Sequence, residues 1–414
     1  MKSYPFFYSL YSSRWEEKLC LWADKNFRFF AFTSGNNHVY PSQPFDSFFF
    51  AGNKELSESE IWQTVKLKVG VIGYDYKNRI EKLNSDNLEF FPLPELCFFE
   101  PELIFKLDAK GIYSSSEIPK AYLNEIEAQI LPANPSLSCQ VSPQVTRDEY
   151  LRSVLNIQNE ILEGNTYETN FCQAFSGSFA SWAPIAAFFR LNELSKMPFA
   201  ALFKAKNQWL LSASPERFLK KTGSKLIAQP IKGTIKRGLN PEEDAENREK
   251  LISSEKERAE NLMITDLMRN DLARVSKTGS VRVEELFGIY PFPRVLQMIS
   301  TVSSEIKDVV TFENIIRATF PMGSMTGAPK ISTMKIIERE ECFRRGWFSG
   351  AFGWIDENED FDFSVVIRSI IADLEVKKLY FGVGSAITID ASAEQEYDEC
   401  ELKAQALFEL LRGN

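Results

Sequence analysis

The chain is poor in the residues from which most metal and nucleophile sites are built. Among 414 residues there is one histidine, His38, and the six cysteines (Cys20, Cys97, Cys139, Cys172, Cys342 and Cys400) lie far apart with no CxxC pair. A Cys/His zinc site is therefore almost excluded, and serine–histidine hydrolase chemistry would have to rest on His38 alone. No stretch reaches about 18 apolar residues, and the N-terminal MKSYPFFYSLYSSRW lacks a continuous apolar core, so neither membrane insertion nor export is supported. Long basic runs are missing too. With 48 Lys and Arg against 57 Asp and Glu, a formal charge of -9, general nucleic-acid binding is disfavoured, and any anionic ligand must be held by a few placed cations or a metal. No repeat of fixed period is visible. The expectation is a reduced, cytoplasmic protein.

What remains is the composition of an ordinary folded protein, long enough for two to three domains or one large composite one. Residues 1–130 are rich in phenylalanine, with Phe48, Phe49 and Phe50 in a row, which reads as aromatic core. A Pro/Ser-rich stretch at 132–144 reads as a connection, dividing an N-terminal region, 1–140, from a second region, 146–414, against which it packs. Thr146 and Glu149 form a capping box at the head of an amphipathic helix. WLLSAS, RFLKK and KLIAQ within 209–229 read as adjacent antiparallel strands, and helices are expected at about 255–275, 312–318, 329–341 and 393–412. Strands at 280–290 and 295–306, and a hairpin from FSGAFGWID to FDFSVVIRSII, complete the pattern. Strands in runs among a few long helices predict an α+β fold with large antiparallel sheets, not a doubly wound parallel one.

Two helices each carry a carboxylate pair spaced i, i+3: Glu257 with Glu260, and Glu396 with Glu399. Such pairs share one helix face beside an apolar stripe, and four acids without histidine or thiolate suit a hard cation such as Mg²⁺. Periodicity alone favours a plainer reading, a solvated acidic face, and Ser254-x-x-Glu257 is itself a capping-box pattern. Lys232, between Pro230-Ile231 and Gly233, sits on constrained backbone. A lysine attacks only as the free amine, which calls for desolvation or neighbouring cations, and Lys236 and Arg237 are close in sequence. The segment GSMTGAPK, 323–330, is a candidate anion cradle at a helix N-terminus, although it lacks the phosphate-loop spacing.

SASPERF, PIKGT, the acidic helix ending DLMRNDLARV, GSMTGAPK, RRGWFSGAFGWID, VVIRS and the terminal EYDE helix follow one another in an order that resembles the chorismate-utilising enzymes, over about 146–414. The resemblance implies a sandwich-like core of antiparallel sheets flanked by helices. It makes Glu260 and Glu399 Mg²⁺ ligands with Glu257 and Glu396 in support, and Glu216 the general acid for a departing hydroxyl. Arg368 becomes the grip on a substrate carboxylate, and Gly233, Thr234, Phe348, Gly384, Ser385 and Ala386 become substrate-lining positions. Within the family, a lysine between Pro-Ile and Gly-Thr resembles the branch that aminates chorismate at ring carbon 4 through a covalent lysine adduct, here Lys232, as part of p-aminobenzoate and folate synthesis. Anthranilate synthases resemble PIAGT there. That branch uses ammonia from a glutamine amidotransferase subunit, and this chain has no cysteine–histidine signature for making its own. Phe348, where relatives carry a tyrosine, Glu168 in place of a glutamine, and Ala386 in place of a glycine depart from the pattern. Anthranilate synthesis, isochorismate or salicylate synthesis, and chorismate binding without turnover stand as the alternatives.

Overall fold

The computed structural model of the chain describes residues 4–10 and 12–412. Its strands form two sheets, one of twelve strands and one of ten, in which every strand pair is antiparallel. The sheets face one another. Phe29 of the larger stacks on Phe99 of the smaller at 5.7 Å between ring centroids, and Phe203 meets Phe352 at the same distance. Helices cover the outer faces, so central strands such as Phe199–Ala205 and Ser369–Asp373 are buried along their whole length and show no polar alternation. The aromatic run Phe48–Phe50 lies in this core, as its composition implies.

Strands from the first 140 residues are hydrogen-bonded into both sheets. Phe29–Ser34 pairs with Phe199–Ala205 in the larger sheet, and Lys68–Ile72 pairs with Ala351–Ile355 in the smaller. The helix Arg147–Leu162 starts on Thr146 with both halves of the capping box formed.

Two expectations about the strands need correction. Gln208–Ser214, which contains WLLSAS, does not lie beside Arg217–Thr222; the first belongs to the larger sheet and the second, with its hairpin partner Lys225–Gln229, to the smaller. Likewise FDFSVVIRSII is not one strand, because Phe361–Val365 ends in the smaller sheet and Ser369–Asp373 begins in the larger. Alternation of side chains reports burial, not which of two facing sheets a strand joins. The two crossings lie side by side: Val365 N donates to the Glu216 carbonyl at 3.0 Å, and Ala213 N to the Arg368 carbonyl at 3.2 Å.

Candidate active site

A cavity of about 800 Å³ opens where these crossings meet the helices Glu255–Val275 and Ala393–Arg412. Every site residue expected from the sequence lines it: Glu216 and Arg368 from the crossings, Lys232, Gly233 and Thr234 from one edge strand, and Glu257 and Glu260 from the first helix. The remainder are Glu396 and Glu399 from the last helix, Phe348 from the turn before a strand, and Gly384, Ser385 and Ala386 from the long strand Lys378–Ile387.

Lys232 lies on Ile231–Lys236, whose pairing with Val295–Glu305 shifts register between Ile231 and Thr234. This irregularity re-aims the side chain, a common use of a bulge. Gly233 absorbs it at φ +97°, and a Cβ there would stand 3.1 Å from both Glu257 Oε2 and Met298 Cβ, so the position requires glycine. The Asn261 side-chain amide donates to the carbonyls of Lys232, at 3.1 Å, and Met298, at 3.2 Å. The Lys232 ammonium donates to Glu168 Oε1 at 2.7 Å. Its surroundings are therefore the reverse of the cationic ones expected. Burial works to lower its pKa, but Glu168, Glu260 and Glu399 together outweigh burial and hold it above the ordinary lysine value. Arg237, one of the expected cationic neighbours, is instead paired to Asp244 at 2.7 Å.

Glu216 is buried, and desolvation raises its carboxyl to about 7 against the opposing pull of Ser324 and Lys232. A carboxylic acid that keeps its proton near neutral pH has the property a general acid needs. Arg368 takes a left-handed backbone, φ +53°, that turns its guanidinium into the cavity. Among the described residues it makes no side-chain hydrogen bond or ion pair, and burial lowers its pKa. A planar donor fork left without a partner in a half-buried pocket has the geometry to accept a carboxylate.

The four acidic side chains differ in state. Burial raises Glu257 and Glu396, and raises Glu260 to about 7. Burial also acts upward on Glu399, but Lys403, at 2.6 Å, brings it below the usual range. Ser254 caps the helix through Glu257 N at 3.3 Å, but no return bond from the Glu257 side chain completes the box, so this carboxylate stays on the cavity. Lys256 Nζ stands between the two helices, 3.8 Å from Glu260 Oε1 and 3.5 Å from Glu396 Oε1, where a positive charge is evidently stabilised. Among the described residues no three His, Cys, Asp or Glu side chains close around one point. The donor set still fits Mg²⁺, which takes one or two carboxylates and fills its remaining positions with water and substrate oxygens.

The glycine-rich segment GSMTGAPK contributes otherwise than expected. Ser324 and Met325 line the cavity, while Lys330 at the helix N-terminus is tied to Asp271 at 2.5 Å, away from it. Gly327 at φ +142° lets its strand close on Glu168, whose carbonyl would lie 2.0 Å from any Cβ there. Phe348 packs its ring against Gly382, and Ser385 Oγ is hydrogen-bonded to the buried Tyr150 hydroxyl at 3.0 Å. The sequence reading missed Asn261, Lys256 and Lys403 and counted Glu168 only as a departure. The lysines had a readable signal, since Lys256–Glu260 and Glu399–Lys403 are i, i+4 pairs on helices. Asn261 and Glu168 had none, because their partners are distant in the chain.

Comparison with known proteins identifies the family and the fold. A family model described as chorismate binding enzyme matches residues 9–409, the N-terminal region included. The aminodeoxychorismate synthase component 1 of Klebsiella aerogenes is 36% identical over 352 residues, spanning 83% of this chain and 77% of that protein. Its namesake from Bacillus subtilis is 33% identical, spanning 82% and 75%. The crystal structure of anthranilate synthase component I from Streptococcus pneumoniae superposes with a TM-score of 0.75 at 23% identity, covering 91% of each chain, which establishes the fold.

Proposed function

The chain belongs to the chorismate-binding enzyme family, and from that premise we propose that it converts chorismate and ammonia to 4-amino-4-deoxychorismate, the activity of aminodeoxychorismate synthase component 1. The observation that carries this reading within the family is Lys232, an amine on the cavity wall on the same cavity as Glu216 and the unpaired Arg368. Arg368 receives a substrate carboxylate through its free fork. Lys232 adds at ring carbon 2 as the carbon-4 hydroxyl leaves with a proton from Glu216, and ammonia then adds at carbon 4 and expels the lysine. Gly233, Thr234 and Gly384 to Ala386 bring backbone and small side chains close to the ring, and Phe348 offers it an apolar wall. Glu260 and Glu399, with Glu257 and Glu396 beside them, would hold Mg²⁺, which when bound supplies positive charge for the ring carboxylate.

Ammonia is supplied by a separate glutamine amidotransferase chain. In support, burial raises the pKa of every one of the six thiols, so none has the thiolate character that glutamine hydrolysis requires. None of the six is in a disulfide, and no described helix is long and apolar enough to cross a membrane; both accord with a cytoplasmic place in p-aminobenzoate and folate synthesis. The deciding experiment is to incubate the purified chain with chorismate, Mg²⁺ and ammonium and identify the product by mass. Aminodeoxychorismate is expected; anthranilate, isochorismate or no product would overturn the reading.

A further inference from the structure

The buried ion pair between Lys232 and Glu168 raises a chemical difficulty that the proposed reaction must solve. The amine has to lose a proton before it can attack, yet the carboxylates around it stabilise the ammonium. Five acids face Lys232: Glu168 from the strand Glu168–Ser178, Glu216 from the sheet crossing, Glu257 and Glu260 from the helix Glu255–Val275 and Glu399 from the last helix. Among the described residues only Glu168 is ion-paired with it, at 2.7 Å. Glu260 and Glu399 are engaged by Lys256 and Lys403, and Glu216 is needed as an acid.

Glu168 also differs from the others in its setting. The residue is wholly buried, its Oε1 meets Lys232, and its Oε2 is buried with no hydrogen-bond partner among the described residues. An ionised carboxylate with one oxygen orphaned is costly, whereas a neutral acid in the same place is not. Glu168 Oε1 thus already accepts the hydrogen that the amine must shed. Its backbone cannot drift, because Glu168 pairs with Ala328 on one side while Thr169 pairs with Ile387 on the other.

We propose that Glu168 positions Lys232 for attack and is the acceptor of its proton, an inference that rests on the covalent reading above. In the step, an Nζ–H bond of the ammonium breaks and the proton joins Glu168 Oε1, leaving a neutral amine and a neutral acid. The freed lone pair forms the Nζ–C2 bond as the C4–O bond breaks, and the hydroxyl leaves as water with the Glu216 proton. When ammonia adds at carbon 4, the lysine leaves as a neutral amine and takes its proton back from Glu168. No redox partner is involved.

The test compares wild type, Glu168→Gln and Glu168→Asp, each assayed for product by mass with ammonium over a range of pH, with chorismate binding measured by calorimetry. The glutamine keeps the size and the acceptor oxygen but cannot take a proton. We expect Glu168→Gln to bind chorismate as wild type does and to lose on the order of 10²-fold in kcat with KM little changed, without recovery at high pH, where Glu216 has lost the proton it must donate. Glu168→Asp, which retains a proton acceptor, should keep the wild-type pH dependence at a reduced rate, and should do so even if the glutamine variant fails to fold. A glutamine variant with wild-type kcat and pH profile, or an aspartate variant whose profile shifts upward, would overturn the proposal. If wild type itself forms no aminodeoxychorismate, the underlying function fails instead, and the two failures are told apart by that control.

Discussion

The Asn261 side-chain amide donates to the backbone carbonyl of Lys232 at 3.1 Å, so the helix that carries Glu257 and Glu260 also fixes the strand that carries the amine. Carboxylates and amine are therefore held by one rigid connection, and a shift of either displaces the other. Asn261 is buried, with its Oδ1 accepting from Ser300, so its orientation is set from both ends.

Replacement of Lys232 separates covalent from direct amination. Lys232→Ala should remove most aminodeoxychorismate formation while chorismate binding, measured by calorimetry, stays nearly intact, because Arg368 and the four glutamates remain. Residual product should drift toward anthranilate, since alanine recreates the PIAGT pattern. Wild-type aminodeoxychorismate formation by this variant would reduce the lysine to a positioning charge.

Glu216 has two measurable consequences. As a general acid raised to about 7, it should give kcat a decline as pH rises through that value, and Glu216→Gln should cost on the order of 10²- to 10⁴-fold and abolish the decline. The folded-state pKa of Glu216 lies above the unfolded one, so its contribution to stability is complete below pH about 4.5 and is lost as pH rises through about 7. Above that, the ionised buried carboxylate should cost on the order of 3 kcal/mol. Glu216→Gln should accordingly melt higher than wild type at pH 8 to 9, and a wild-type advantage there would contradict the burial argument.

Metal dependence can be read in two ways. Excess chelator should abolish turnover, and Glu260→Gln or Glu399→Gln should each lower it on the order of 10²-fold while weakening Mg²⁺ binding in calorimetry. Full activity in chelator would remove the metal from the mechanism.

Arg368 should govern affinity more than rate. With no hydrogen-bond partner to strand among the described residues, Arg368→Ala should raise KM for chorismate by roughly 10- to 100-fold, the worth of hydrogen bonds to a charged group, and leave the fold intact by circular dichroism. An unchanged KM would place the substrate carboxylate elsewhere.

Glutamine should support turnover only when an amidotransferase chain is added, whereas ammonium should suffice without it. Glutamine-dependent turnover by the single pure chain would show that one of its six thiols is reactive after all.

The parts of the site legible in the sequence were those encoded locally. The Thr146–Glu149 box, the i, i+3 carboxylates and the motif order each sit within a few residues, where capping and helical spacing leave a direct trace. What escaped was set by distant partners. Glu168 reaches Lys232 from another strand, and Lys236 and Arg237 suggested a cationic environment that the folded chain replaces with acids. The sheet crossings at Glu216 and Arg368 escaped for a related reason, because buried strands of either sheet look alike when both faces are covered.

The pairing of early strands with late ones also dictates when the molecule can form. Val69 lies opposite Trp354, and Gln208 opposite Asp373, so neither sheet can close until nearly the whole chain has left the ribosome. At about 5 to 20 residues per second, the phenylalanine-rich strands near the start wait on the order of ten seconds or more for their partners. High contact order makes folding slow, and unpaired aromatic strand edges are aggregation-prone in the interval. Cutting the chain at 146 would leave Phe199–Ala205 and Ala351–Ile355 each missing a neighbour inside a sheet. The nascent chain is thus a natural client for chaperones, and recombinant yield should depend on expression temperature more steeply than the finished protein's stability would suggest.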